Sequence, residues 1–406
     1  MRKEPLMGYE QALKVTLETI SPLNSHRVID ISECLGRIIS EDLYSQVNSP
    51  SIDASMKDGY AVQSEEIQSA TLQNSVRLKI IGMAAAGCTN NQAVTCGTTV
   101  RILTGAKIPD GANAVLAEEF ATRREDILTV FNTAEPGRNI LPKGADIGTG
   151  ELIAAKGSRL SPGMMGTLAA AGYGRLPVYH RPRVAILATG DELVAPGQPL
   201  TDGKLYASNM EMLKAWCLRY GMHTYCSIVS DKKDIVIEKI AAAVATHDAV
   251  ITSGGAWTGD RDFVAHTLNT LGWKKLFHRI RMGPGKAVGF GILNQKPVFL
   301  LPGGPPSNLM AFLQIALPGL LRLAGHSRPL LPRIMVKLQS GVSSRNTNWT
   351  EFVYGYLRTG NEHTIFRPLK LTSRLKTMAG AQGVMAIPEG VKSLPASAVV
   401  SAQLLI

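Results

Sequence analysis

From Arg183 onward the sequence alternates short, largely apolar runs with amphipathic stretches, and this alternation limits the possible folds more than any other feature. Residues 184–188 read as a buried strand, 224–229 as the next and 249–252 as a third. Between them lie segments of helical spacing, one carrying Leu213, Trp216, Cys217 and Tyr220, the other Ile235, Ile240, Ala241 and Val244. A later strand at 298–301 runs into a helix from about Pro306. Strands apolar on both sides and joined through helices require right-handed βαβ units. A three-layer α/β/α domain around a mostly parallel sheet is therefore expected. Ser208-Asn209-Met210-Glu211 has capping-box spacing and is expected to cap the first helix.

The remainder of the 406 residues is too long to be a mere appendage of that domain, so two to four domains are expected. Residues 9–20 place Ala12, Leu13, Val15, Leu17 and Ile20 at helical spacing, with Pro22 as a stop. From 46 to 136, short β-favouring runs alternate with Gly, Asn and Pro, the pattern of a small β-rich domain. A further helix is predicted over 162–171, ending at Gly172, and strands return after Pro329. The expected division is a discontinuous helical domain (1–46 with 137–178), a β-rich domain (47–136), the α/β domain (179–327) and a C-terminal β domain (328–406).

A formal net charge of +11 suits an anionic ligand. Lys and Arg neither form long runs nor interleave with aromatics, so no nucleic-acid groove is expected. The five cysteines are scattered and form no CxxC pair, which argues against a zinc ribbon or disulfide framework and for a reducing cytoplasm. The first residues carry charges where a signal peptide needs an apolar core. No stretch reaches the ~20 apolar residues of a membrane span. Residues 309–323 are apolar but short and interrupted by Pro318 and Gly319.

In an open parallel sheet, ligands bind beyond the carboxyl ends of the strands. Four loops meet that condition: Thr189-Gly190-Asp191-Glu192, Ser230-Asp231, residues 252–262 (TSGGAWTGDRD) and residues 301–307 (LPGGPPS). They offer hydroxyls (Ser253, Ser307), glycine amides (Gly254, Gly255, Gly303), rigid turns (Pro302, Pro305) and the carboxylates Glu192, Asp231 and Asp262. Glycines let a backbone approach phosphate closely, and the helix from Pro306 would add a positive dipole end. Hard cations such as Mg²⁺ take oxygen ligands and bridge to substrate phosphates. Each piece alone has a plainer meaning: TSGG a turn, Asp231 a helix N-cap, the prolines a stiff loop. Convergence on one sheet edge favours a nucleotide- or pyrophosphate-binding cleft with Mg²⁺.

The same loops carry a family resemblance. Thr252-Ser253-Gly254-Gly255, with Gly259 and Asp262 following, resembles the signature of the MoeA / gephyrin E-domain family, whose central domain is shared with MogA- and MoaB-type adenylyltransferases. Other segments resemble only the MoeA side: Asp53-Ala54-Ser55-Met56-Lys57-Asp58-Gly59-Tyr60, Arg101-Ile102-Leu103-Thr104-Gly105-Ala106, and Gly137-Arg138-Asn139-Ile140 leading to Gly144-Ala145-Asp146-Ile147. Order and spacing agree from about residue 6 to 325; the last 80 residues match by architecture more than by motif.

The resemblance implies a four-domain, elongated homodimer, with the active site between the α/β domain of one subunit and the β-rich domain of the other. It implies insertion of molybdate into adenylylated molybdopterin with Mg²⁺-dependent release of AMP, the metal-loading step of molybdenum cofactor synthesis. Asp58, Asp146, Asp231 and Asp262 fall on catalytic positions, and with Glu192 they would hold Mg²⁺. Thr104, Arg279 and Lys286 fall on substrate or molybdate positions, and Pro302 and Pro305 would shape the loop over the pterin. A transient contact with a molybdopterin adenylyltransferase is implied too; nucleic acid and membrane are not.

Three segments depart from the family pattern. Its KPGKP is Gly283-Pro284-Gly285-Lys286-Ala287 here, its DNSAMDGY is DASMKDGY, and its LPGNP is Leu301-Pro302-Gly303-Gly304-Pro305. Losing a lysine beside an oxyanion removes a charged hydrogen bond worth about 1.5–3 kcal/mol. Arg281 and Lys57 are the cations available to replace it. The departures leave room for a tungstate-preferring variant or a non-catalytic pterin-binding scaffold. Against the scaffold stand the retained carboxylates; against a bare adenylyltransferase stand the additional domains.

Overall fold

The computed structural model describes residues 6–88, 92–254, 263–360, 363–370 and 374–405. In the α/β unit the sheet order is His223–Val229, Arg183–Thr189, Ala249–Ser253, Lys296–Leu301, Gly289–Leu293, Lys274–His278. The first four strands are parallel and the last two antiparallel. Alternate residues of each central strand enter different cores. Val184, Ile186, Ile251, Phe299 and Leu301 pack on one face. Ala185, Leu187, Val250, Val298 and Leu300 pack on the other. A strand with both faces buried must be apolar throughout, which explains the uninterrupted runs. Helices Lys233–Thr246 and Phe263–Thr270 cover the second face. Ser208–Arg219 and one long helical segment, residues 305–323, cover the first.

That long segment is buried along nearly its whole length, and a π turn at Phe312–Ala316 lies just before Pro318. A widened turn accommodates the hydrogen bond that proline cannot donate. Gly319 is where the N-terminal helix, Tyr9–Thr19, crosses it: a Cβ there would stand 2.8 Å from Ile20 Cδ1 and 2.7 Å from Phe299. This corrects the expectation that the N-terminal helix belongs with residues 137–178. Tyr9, Ala12 and Ile20 lie in the α/β core, and Tyr9 donates to Gln314 Oε1 at 3.0 Å. Helical periodicity tells which face is buried, not which neighbour buries it.

A separate arm is formed by pairing His26–Asp30 with Arg175–Tyr179 and Leu43–Tyr44 with Leu152–Ala154. Helix Pro162–Ala170 completes its core with Leu168, capped by Ser161, which accepts from the Met164 amide at 3.3 Å. The β-rich unit is a six-stranded sheet in the order Ala114–Ala117, Gly59–Val62, Thr98–Ile102, Val76–Ala84, Ile127–Val130, Ala121–Arg124. At the C-terminus five strands close into a barrel. Thr350–Thr359 pairs with both Thr364–Pro368 and Gly383–Ile387, and Arg333–Leu338 and Val399–Leu404 complete the ring. The short strand Ile280–Gly283 leaves the α/β unit to pair with Thr350–Thr359, joining barrel and sheet.

Candidate functional site

At the carboxyl ends of the parallel strands lies a cleft of about 1270 Å³. Its backbone geometry depends on glycine at two places. Gly190 has φ +150°, and a Cβ there would stand 2.5 Å from the Glu192 carboxylate. Gly254 has φ +108°, and a Cβ would stand 2.5 Å from the Thr189 carbonyl oxygen. The loops after two neighbouring strands therefore close to a distance that only glycine permits.

A third loop is fastened by asparagines. Asn308 is fully buried; its Nδ2 donates to Ser253 Oγ and to the Pro302 carbonyl, both at 2.9 Å. Asn209 Nδ2 donates to the Gly303 carbonyl at 2.8 Å. The expected capping box of Ser208 with Glu211 does not form: the cap position is Ala207, with no side-chain bond, and Ser208 is the first helical residue. Loop 301–307 is held from both sides, and the long helix begins beside the cleft at Pro305 and Pro306, which have no N–H, so that Ser307 carries its first amide.

The acidic wall is made by two loops. The Asp231 amide donates to Asp191 Oδ1 at 3.2 Å, and Lys204 Nζ donates to the Asp191 carbonyl at 2.6 Å. Asp231 is not an N-cap, because Lys232 occupies that position with no side-chain bond. Its carboxyl is held above the usual aspartate range, first by burial, then by the negative charges of Asp191 and Glu192. Crowded carboxylates of this kind are relieved by a cation. Among the described residues no three acidic, His or Cys groups form a preformed ligand set.

The cleft therefore brings together Glu192, Asp231, Ser253, Gly254, Pro302, Gly303, Pro305 and Ser307. Gly255 and Asp262 lie outside the described residues. Arg279 and Lys286 do not line it, although Pro284 between them does. Lys286 Nζ lies 4.7 Å from the centre of the Trp349 ring. Arg281 is no substitute for the missing lysine: it pairs with Glu389 at 3.0 Å and donates to the Leu6 carbonyl, away from the cleft. The cations at the rim are Arg345 and Arg374, both from the C-terminal barrel. Sequence reading gave no site role to these arginines, which come from another domain, nor to Asn209 and Asn308, which tie loops distant in sequence; no local pattern signals either kind of contact.

Asp58, Thr104 and Asp146 do not line the cleft of their own chain. They stand exposed, Asp58 and Thr104 on the β-rich unit and Asp146 on a turn packed against it. Asp58 Oδ1 accepts from the Thr104 amide at 2.7 Å and from its hydroxyl at 2.8 Å. Those bonds, with Arg101 nearby, hold its carboxyl below the usual range. The turn leading to Asp146 docks on the same strip, the Lys143 amide donating to Asp53 Oδ1 at 2.7 Å and the Gly144 amide to the Pro50 carbonyl at 2.9 Å.

A family model described as the MoeA N-terminal region (domain I and II) matches residues 7–172, and one described as a probable molybdopterin binding domain matches residues 185–322. A molybdopterin molybdenumtransferase of Staphylococcus aureus strain COL is 32% identical over 298 residues, 73% of this chain and 71% of that protein. One from Staphylococcus epidermidis is 29% identical over 335 residues, covering 82% and 79%. A crystal structure of a molybdopterin biosynthesis MoeA protein from Pyrococcus horikosii superposes with a TM-score of 0.83 at 32% identity, over 98% of this chain and 99% of the other.

Proposed function

Because the chain belongs to the MoeA family and is a molybdopterin molybdenumtransferase of molybdenum cofactor biosynthesis, we propose that it inserts molybdate into adenylylated molybdopterin and releases AMP. The observation that carries this reading is the meeting of a crowded acidic wall with glycine loops and a helix amino end in one cleft. The amides around Gly254 and Gly303 and the hydroxyls of Ser253 and Ser307 would hold the pyrophosphate, helped by the helix dipole. Leu205, Tyr206 and Met210 give the same cleft an apolar side suited to the pterin. Arg345 and Arg374 would attract the oxyanion at the rim.

Mg²⁺ fits the donor set, since Asp231 and Glu192 present hard oxygen ligands whose mutual repulsion a divalent cation removes. Together with Asp262 they would hold it, and the bound metal would polarise the phosphoryl oxygens. Asp58, Thr104 and Asp146 would complete the site from a second copy of the chain, in a homodimer. A homodimer accounts for a half-site standing exposed and outside the cleft of its own chain. A molybdopterin adenylyltransferase would hand over the substrate. Five free cysteines are compatible with a cytoplasmic location.

The test gives purified protein adenylylated molybdopterin, molybdate and Mg²⁺ and follows AMP. Molybdate-dependent AMP release above the metal-free control is expected. Release no faster than that control would overturn the proposal.

A further inference from the structure

A second basic pocket lies at the opposite end of the parallel sheet, where the arm joins the α/β unit. It encloses about 430 Å³, and its lining includes Arg27, Arg37, Arg181, Arg183, His223 and Asp248. Both units contribute. Arg27 lies on the arm strand His26–Asp30, whereas Arg183 and His223 open two strands of the sheet. Arg181 sits in the crossing between the arm strand Arg175–Tyr179 and Arg183–Thr189.

Four guanidinium groups thus face one carboxylate, and that carboxylate is already engaged. Asp248 accepts from the Arg183 amide at 2.8 Å, pairs with the Arg183 guanidinium at 3.4 Å, and lies 3.8 Å from Lys296 Nζ. Arg37 is the more telling group. It is only 4% exposed, and its Nη2 donates to the Tyr179 carbonyl at 2.7 Å. Among the described residues no carboxylate pairs with it; burial and then the charges of Arg181 and Arg27 lower its proton affinity, outweighing the opposite influence of Cys34 and Glu33. A buried guanidinium among like charges is costly unless an anion completes the site.

We propose that this pocket binds a compact phosphoanion, orthophosphate or a diphosphate group, which clasps the arm to the α/β unit. Several guanidinium forks converging from different directions match a tetrahedral group with many acceptor oxygens better than a planar carboxylate. The excess of three positive charges favours a polyvalent ligand. Convergence on one pocket, in place of an extended basic track, disfavours nucleic acid. The site is remote from the cleft and independent of the reaction proposed there.

The experiment is calorimetric titration of the full chain in EDTA, at fixed ionic strength, with orthophosphate, pyrophosphate, ATP, sulfate and molybdate. Pyrophosphate is expected to bind, and the double variant Arg27→Ala/Arg181→Ala, which alters only exposed side chains, should weaken it roughly tenfold or more. Chelation withholds the Mg²⁺ through which the cleft is proposed to hold a pyrophosphate, so the binding that the double variant weakens is that of the pocket at the arm. ATP binding lost in the same double variant would put the phosphate on a nucleotide; pyrophosphate binding without ATP would mean a free anion; both uphold the site. Four outcomes would overturn the proposal. They are undiminished pyrophosphate binding in the double variant, equal binding of sulfate and pyrophosphate, molybdate binding as tightly as pyrophosphate, or binding of an oligonucleotide but not of pyrophosphate.

Discussion

Asp231 and Asp58 are both loop carboxylates, yet their surroundings push them in opposite directions. Asp231 is partly buried beside Asp191 and Glu192, and its proton affinity rises. Asp58 is exposed, accepts two hydrogen bonds from Thr104, and its proton affinity falls. One group stands in a cavity with unrelieved negative charge, waiting for a cation. The other is already satisfied and oriented, but stands exposed and outside the cleft of its own chain. The difference suggests two halves of a site divided between copies of the chain, one recruiting the ligand and the other preset to meet it.

The largest single-chain effect should come from Asp231→Asn. We expect turnover to fall roughly 10²-fold or more, as when a preorganised electrostatic group is removed. Stability should not fall with it. A carboxyl whose folded pKa is raised detracts from stability at neutral pH, and that penalty vanishes as the pH drops below the unfolded value. The variant should therefore melt at or slightly above the wild-type temperature near pH 7. Melting well below it would mean that Asp231 supports the fold and that the crowding argument is wrong.

A smaller effect is expected from Thr104→Val, which removes one of the two donors to Asp58 and keeps the amide. Turnover should drop about three- to tenfold, since one exposed charge-assisted bond is lost. Asp58 has a lowered folded pKa, so its contact stabilises above the unfolded pKa, and that contribution is lost as pH falls through the folded value. Losing the hydroxyl should shift the acid limb of the pH–rate profile upward. An unmoved acid limb would separate Asp58 from the chemistry.

The same contrast explains what was readable beforehand. The cleft loops were legible because glycine at a positive φ and hydroxyls after buried strands are local requirements, stated by residues 189–192 and 252–254 themselves. Asn308 and Asn209 were not, because their function is to tie loops distant in sequence. Arg345 and Arg374 reach the rim because the C-terminal barrel is held against the sheet, through the Ile280–Gly283 pairing and through Phe352, Tyr354 and Met378 in the shared core. The antiparallel strands Lys274–His278 and Gly289–Leu293 also escaped notice. A hairpin at a sheet edge lacks the helix-and-strand rhythm that marks the parallel part, and here a strand that leaves the sheet interrupts it.

The most direct measurement is subunit complementation. Asp58→Asn and Asp231→Asn chains, each nearly inactive alone, are co-expressed with different tags so that mixed dimers can be isolated. If each site takes Asp231 from one copy and Asp58 from the other, every mixed dimer contains one intact site and should regain about half the wild-type activity. Isolated mixed dimers no more active than the parents, or a chain that stays monomeric while turning over, would contradict the shared site.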